Sequence, residues 1–178
     1  MNKLAIISLI LGVFFLSACS QNNAEVKHGA VQTAGINKGQ TPPDFSIKTI
    51  EGKDIQLSGF KNNRPILVYF WASWCPYCKQ DFSIVKNIYP KYQDKVSFLA
   101  IDLDTNEDPK LINKYKEEMG LQWIDFAQGN PKVLSDYSIT HTTTKYAIGK
   151  NGIIIYKGSG VFNKEQWEIL LNALATSS

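Results

Sequence analysis

The chain contains 178 residues, of which 44% are hydrophobic and 20% are charged, and its formal net charge at pH 7 is +3. This length and apolar content predict one domain of ordinary size with a hydrophobic core. Because the net charge is small and no basic run alternates with aromatic residues, the sequence predicts no nucleic-acid partner.

The N-terminus is typical of an export signal. Lys3 precedes an apolar segment, residues 4–16, that is shorter than the roughly 20 residues a membrane-spanning helix needs. The segment ends in the motif Leu-Ser-Ala-Cys, with Cys19 last, which resembles the lipobox of bacterial lipoproteins. The resemblance implies cleavage before Cys19 and attachment of a diacylglycerol anchor to its sulfur. Two alternatives stay open, namely cleavage without lipidation and an uncleaved anchor.

Residues 20–40 are polar and rich in Gln, Asn, Gly and Ala, and they show no sustained periodicity. Such a composition predicts a flexible tether. Pro42 and Pro43 then open the folded region. We therefore expect a signal peptide at residues 1–18, a lipidated tether at residues 19–40 and one folded domain at residues 41–178.

The folded region alternates strand-like and helix-like segments, which predicts an α/β fold. A turn at residues 51–54 joins two short alternating runs in a hairpin, and residues 66–71 form an apolar run suited to a buried central strand. The acidic residues 102–108 lack the glycine of a calcium-binding loop and are predicted to form a solvated loop. Capping residues place the starts of three helices near Asp108, Asn130 and Asn163. A terminal hairpin is predicted to pair residues 145–148 with 153–156 through a type I′ turn at Asn151-Gly152.

Two cysteines, Cys75 and Cys78, follow the apolar run at the point where a helical pattern begins. Cysteines three positions apart on the first turn of a helix lie about 5–6 Å apart, which suits a reversible disulfide. The helix N-terminus favours the thiolate at the more exposed sulfur, so Cys75 is the predicted accessible nucleophile and Cys78 the resolving thiol. A zinc site would normally need four ligands, and only His28 and His141 remain as soft donors. A purely structural disulfide would close too small a loop to stabilise the chain much.

The segment Phe-Trp-Ala-Ser-Trp-Cys-Pro-Tyr-Cys, residues 70–78, resembles the active-site motif of the thioredoxin superfamily. Residues 41–47 and 51–58 are similar to the N-terminal hairpin of its extracytoplasmic TlpA/ResA branch. The likeness covers roughly residues 40–175. It implies an α/β, thioredoxin-like fold with an N-terminal β-hairpin and a central helix-strand insertion, formed by the helix after Asp108 and residues 122–127.

The resemblance also assigns residues around the cysteines. Pro76 and Tyr77 resemble the dipeptide between the cysteines of glutaredoxin, which indicates a middling redox potential. An exposed Trp74 would offer an apolar face to a partner's disulfide. Asp81 stands where ResA-like proteins carry a glutamate near their cysteines, and the alternative is an exposed helix carboxylate. Tyr69 occupies the place of the buried acid that serves the inner cysteine in thioredoxin.

The loop before the terminal hairpin aligns with the family's loop that carries a cis-proline opposite the cysteines. Counting back from Gly152 places Thr143 at that proline. Because a cis peptide before a residue other than proline costs about 2.5–4 kcal/mol, we expect the Thr142-Thr143 bond to be trans. The backbone N–H and hydroxyl of Thr143 are donors that proline lacks, and they are predicted to lie near the sulfurs.

The resemblance implies a lipid-anchored thiol-disulfide oxidoreductase on the extracytoplasmic side of the cell membrane. We expect a monomeric reductase of oxidised cell-envelope proteins, re-reduced by a membrane electron donor of the CcdA/DsbD type, that uses no cofactor and no bound metal. One alternative is an oxidant of the same fold that forms disulfides. Another is a copper-delivery lipoprotein that binds Cu(I) through Cys75, Cys78 and His141.

Overall fold

The computed structural model describes residues 33–177, and a five-stranded mixed sheet lies at the centre of this region. The predicted signal peptide, Cys19 and most of the predicted tether lie outside the described residues. The strands are β1 (Ser46–Lys48), β2 (Asp54–Gln56), β3 (Ile66–Trp71), β4 (Ser97–Asp102), β5 (Asp125–Gln128), β6 (Thr144–Ile148) and β7 (Ile154–Gly158). The spatial order in the five-stranded sheet is β5-β4-β3-β6-β7. Strands β3, β4 and β5 run parallel, and β6 is antiparallel to both of its neighbours, β3 and β7.

The α-helices of the described region begin at residues that cap them. The side chains of Asp108, Asn130 and Asn163 each accept a hydrogen bond from a backbone N–H in the first turn, so the three predicted helix starts are confirmed. Pro90 lies in a short 3₁₀ turn that ends the first helix. None of the helices in residues 33–177 has the length and apolar character needed to cross a membrane. The helices are α1 (Pro76–Ile88), α2 (Pro109–Met119), α3 (Pro131–Asp136) and α4 (Lys164–Ala175).

Strand β3 is buried along its whole length, as predicted for a central strand. Its alternate residues divide between two apolar clusters. Leu67, Tyr69 and Trp71 pack with buried residues of α1, α2 and α4, whereas the intervening residues pack with the β1–β2 hairpin and α3. The hairpin and the α2–β5 insertion are both present, which confirms the predicted α/β architecture.

The folded region begins earlier than the predicted boundary after residue 40. The N–H of Gly39 donates to the Ile154 carbonyl at 2.8 Å, and the N–H of Ile154 donates to the Gln40 carbonyl at 2.9 Å. Residues 33–40 therefore belong to the folded region beside β7 rather than to a tether. Backbone pairing needs no particular side chains, which is why the polar composition of this segment did not reveal it.

The turn between β6 and β7 also differs from the prediction. A type I′ turn needs positive φ at both central residues, but Gly152 has φ +81° and Asn151 is not among the described residues with positive φ. The N–H of Gly152 donates to the Gly149 carbonyl at 2.9 Å. Gly152 thus follows the turn as a left-handed residue, as in longer hairpin loops built around a type I turn.

Gly129 follows β5 and packs against the last residue of β4. Its N–H donates to the Asp102 carbonyl at 3.0 Å, and a Cβ would lie 2.2 Å from that oxygen. Gly129→Ala should therefore lower the free energy of unfolding by roughly 1–3 kcal/mol through overpacking. Gly59→Ala is the matched control, because a Cβ there meets nothing within 4 Å. Urea unfolding measures both variants, and equal stabilities would contradict the prediction.

Candidate active site

Cys75 and Cys78 lie where β3 gives way to α1, and they form a disulfide with Cα atoms 5.3 Å apart. Cys75 is the N-cap residue of α1, and Pro76 takes the first helical position, where no N–H is needed. The N–H of Cys78 donates to the Cys75 sulfur at 3.0 Å. A thiolate at Cys75 would receive this hydrogen bond at the positive end of a helix, which favours the charged form.

The disulfide is covered, although aromatic residues beside it are exposed. Cys75 is 2% exposed and Cys78 0%, whereas Trp74 is 67% and Tyr77 60% exposed. Cys75 is the more exposed of the two cysteines by a small margin in this disulfide form. The accessibility of the Cys75 thiol in the reduced protein stays a prediction. Trp74 and Tyr77 present apolar faces next to the sulfurs, as expected for Trp74.

Asp81 is fully buried, so the alternative of an exposed helix carboxylate is wrong. It lies one turn of α1 after the inner cysteine, on the same face of the helix. Its Oδ2 accepts hydrogen bonds from the Tyr69 hydroxyl and the Lys145 ammonium, both at 2.9 Å. Its Oδ1 accepts from the Phe162 N–H at 2.9 Å and from Trp167 Nε1 at 3.0 Å. Four donors therefore hold one carboxylate close to the inner cysteine.

Lys145 is the counter-ion of Asp81, and sequence reasoning did not identify it. Its buried Nζ lies 2.9 Å from Asp81 Oδ2, 3.0 Å from the Thr143 carbonyl and 2.6 Å from the Gly160 carbonyl. Burial lowers the pKa of Lys145, while the Asp81 charge raises it. Three acceptors satisfy the three N–H groups of the ammonium. The only signal in the sequence was a lysine among the residues of a strand that is otherwise suited to burial.

Thr143 precedes β6 in the left-handed region, with φ +61°. The described residues contain no cis peptide bond, so the predicted trans Thr142-Thr143 bond is confirmed. The Thr143 hydroxyl donates to the Thr142 carbonyl and accepts from the Gly160 N–H at 3.0 Å. The hydroxyl proton is therefore used in the bond to the Thr142 carbonyl. The expected role of this hydroxyl as a donor towards the sulfurs is not found. Proline, with φ fixed near −65°, could not adopt this backbone conformation.

The acidic loop after β4 is solvated only in part. Asp102 is 0% exposed, and burial together with the neighbouring Glu107 raises its pKa to about 8. One oxygen of Glu107 accepts a hydrogen bond from the hydroxyl of Ser73, two residues before Cys75. The prediction of a solvated loop is wrong for Asp102, because β4 extends to this residue and carries its side chain into the interior. Glu107 is half-buried.

His141 is exposed, and its Nδ1 lies 2.7 Å from the Thr140 hydroxyl oxygen. Within residues 33–177, no group of three or more His, Cys, Asp or Glu side chains is placed to hold a metal ion. The copper alternative requires Cys75, Cys78 and His141 to converge, so the structure gives it no support.

A disulfide at the N-terminus of a helix that follows the central strand of a mixed sheet is the site of thioredoxin-like thiol-disulfide oxidoreductases. The chain belongs to the AhpC/TSA family, whose family model matches residues 38–157. The family assignment and the site geometry thus agree on the class of protein.

Individual relatives agree as well. The chain is 29% identical over 131 residues to the thiol-disulfide oxidoreductase ResA of Bacillus cereus, covering 73% of this chain and 74% of that protein. It is 30% identical over 136 residues to ResA of Geobacillus thermodenitrificans, covering 75% and 76%. A thiol:disulfide interchange protein of the thioredoxin family from Chlorobium tepidum superposes with a TM-score of 0.64 at 19% identity, covering 76% of this chain and 95% of that one. The predicted thioredoxin-like fold and the predicted thiol-disulfide oxidoreductase activity are confirmed.

Removing Lys145 should strand the Asp81 carboxylate in the interior. Lys145→Met keeps the apolar stem but removes the charge, so we expect the free energy of unfolding to fall by roughly 3–5 kcal/mol. Adding Asp81→Asn removes the stranded charge and should recover more than half of that loss. The matched control is Lys150→Met, because Lys150 is exposed. Urea unfolding measures all four proteins, and a Lys145→Met variant as stable as the control would contradict the prediction.

Proposed function

We propose that the protein is an exported, membrane-anchored reductase of oxidised cell-envelope proteins. Cys75 acts as the nucleophile, and its thiolate attacks a substrate disulfide to form a mixed disulfide while one substrate sulfur leaves as a thiolate. Cys78 then attacks the Cys75 sulfur, the second substrate thiolate leaves, and the Cys75–Cys78 disulfide remains. The substrate gains two electrons and the protein loses two.

The observation that supports this division of roles is the position of Cys75 as N-cap of α1, with the Cys78 N–H 3.0 Å from its sulfur. A sulfur that receives a backbone hydrogen bond at a helix N-terminus is the better thiolate. Cys78 lies inside the first turn and is fully buried, which suits a thiol that attacks only its neighbour. Exposed Trp74 and Tyr77 flank the pair and provide apolar contact area for a protein substrate.

The membrane-facing part of the proposal comes from the N-terminal sequence. The signal-like segment at residues 1–18 and the lipobox-like motif ending at Cys19 favour export and a lipid anchor on the extracytoplasmic side. A monomer tethered in this way could be re-reduced by a membrane electron donor of the CcdA/DsbD type, which would transfer two electrons to the Cys75–Cys78 disulfide. Two relatives are named thiol-disulfide oxidoreductase ResA, which supports the same class of reaction.

The direction of electron flow separates the reductase from the alternative oxidant. We expect a potential between about −200 and −270 mV, the range from glutaredoxins to thioredoxin, because Pro76-Tyr77 resembles the glutaredoxin dipeptide. Equilibration with glutathione buffers, followed by quantification of free thiols, measures it. The Cys78→Ser variant is the control, since it cannot form the intramolecular disulfide. A potential near about −120 mV, as in DsbA, would favour the oxidant instead.

Lipidation of Cys19 is tested by mass spectrometry of the protein extracted from membranes. We expect a mature chain that begins at Cys19 and carries the mass of a diacylglycerol group. The Cys19→Ser variant should remain unlipidated and leave the membrane fraction, because serine lacks the sulfur to which the diacylglycerol group is attached. Recovery of intact Met1, or of an unmodified N-terminal Cys19, would contradict the proposal.

A further inference from the structure

Two buried carboxyl groups lie beside the turn that carries Cys75. Asp102 ends β4 next to Trp71, the last residue of β3, and the N–H of Leu103 donates to the Trp71 carbonyl at 2.8 Å. The loop that follows is held back against the sheet by the Gln128 amide, which donates to two carbonyls of the loop at 2.9 and 2.7 Å. One of these carbonyls belongs to Glu107, and the carboxyl group of Glu107 lies within hydrogen-bond reach of Asp102.

This carboxyl pair lacks a cation. Asp102 Oδ1 accepts from the Asp104 N–H at 3.0 Å, and Glu107 Oε1 accepts from the Ser73 hydroxyl. Asp102 Oδ2 and Glu107 Oε2 are buried and have no donor among the described residues, and neither side chain forms an ion pair within residues 33–177. Such an arrangement favours a state in which one proton lies between the two carboxyl groups, because two adjacent buried carboxylates cannot both ionise at low cost.

The surroundings favour the shared proton. Asp104, on the same loop, adds a further negative charge near Asp102. Trp71 on β3 and Gln128 on β5, which pair with Asp102 in the sheet, carry no charge. Burial raises the pKa of Tyr115, on α2, to about 12. The buried Trp71 Nε1 and Tyr115 hydroxyl have no hydrogen-bond partner in the described region. Burial, Glu107 and Asp104 together raise the pKa of Asp102 to about 8, so the proton leaves within the range at which thiols titrate.

We propose that Asp102 and Glu107 are positioning residues for Cys75, acting through Ser73: the shared proton keeps Glu107 bonded to Ser73, and its loss lowers the reactivity of Cys75. The inference rests on the proposed role of Cys75 as nucleophile. When the proton passes to solvent, two like charges face each other, and the half-buried Glu107 moves towards water. Ser73 then loses its acceptor in the turn before α1, and the added negative charge disfavours a thiolate nearby.

The test is the rate at which iodoacetamide alkylates Cys75 in the reduced full-length protein, measured by mass spectrometry across pH. Asp102→Asn keeps the pair in its singly charged, hydrogen-bonded form at every pH. Its alkylation rate divided by that of the unchanged protein should rise at least about threefold between about pH 7 and pH 9.5. Glu107→Gln should give the same rise in this ratio, and it replaces Asp102→Asn in the test if that variant does not fold. The control is Glu118→Gln, which removes an exposed charge from α2 outside this cluster and should leave the ratio flat.

Unfolding experiments separate a positioning role from a merely structural one. The folded-state pKa of Asp102 lies above its ordinary value of 3.8, so between that value and about 8 the folded state binds more protons. The contribution of Asp102 to the free energy of unfolding therefore falls as pH rises through this window, and Asp102→Asn should remove that contribution. Ser73→Ala should keep the fall in stability but remove the pH-dependent loss of Cys75 reactivity.

The outcomes are distinct. If Asp102→Asn changes the pH dependence of unfolding while the alkylation ratio stays flat, the pair is structural and the proposal is overturned. If neither quantity changes, no proton is shared and the proposal also fails. If Cys78 is alkylated faster than Cys75 in the unchanged protein, the assignment of the nucleophile fails, whatever the pair does.

Discussion

The buried ion pair between Asp81 and Lys145 is the constraint on which the rest of the site depends. A charge taken out of water is costly unless it is both paired and hydrogen-bonded, and here the carboxylate has four donors and the ammonium three acceptors. The rings of Tyr69, Phe162 and Trp167 lie 4.5–5.1 Å from Lys145 Nζ and add cation–π attraction. Neither charge can move without stranding the other, so α1, β3, β6 and the segment before α4 are held in one arrangement.

The pair also fixes two residues next to it. The Asp81 carboxylate, on α1, accepts a hydrogen bond from the Tyr69 hydroxyl of β3. The left-handed backbone of Thr143, just before β6, is held by Lys145 at its carbonyl and by Gly160 at its hydroxyl. One ion pair therefore holds both a residue of the central strand and the loop before β6.

Asp81 and Asp102 are two buried carboxyl groups with different surroundings. Both are fully buried. Asp81 faces a cation and three further N–H or O–H donors. Burial, together with the neighbouring Glu107, raises the pKa of Asp102 to about 8, close to that of a thiol. The two carboxyl groups thus differ in their partners, a cation and three donors for Asp81 and a second carboxyl group for Asp102.

The sequence by itself determined the features that depend on neighbouring residues. The strand–cysteine–helix order around Cys75 and Cys78, the helix starts at Asp108, Asn130 and Asn163, and the apolar β3 were all readable, because caps, turns and side-chain periodicity act over a few positions. The trans peptide before Thr143 followed from the intrinsic cost of a cis bond alone.

Tertiary structure decided the rest. Asp81 and Lys145 are 64 positions apart, and Ser73 and Glu107 are 34 apart, so no local pattern could pair them. The burial of Asp102, the coverage of the disulfide and the docking of residues 33–40 beside β7 likewise depend on which distant segments meet. A carboxylate followed by polar residues is the same local signal whether it ends in water or in the core, and only the packing of the sheet against the helices determines which.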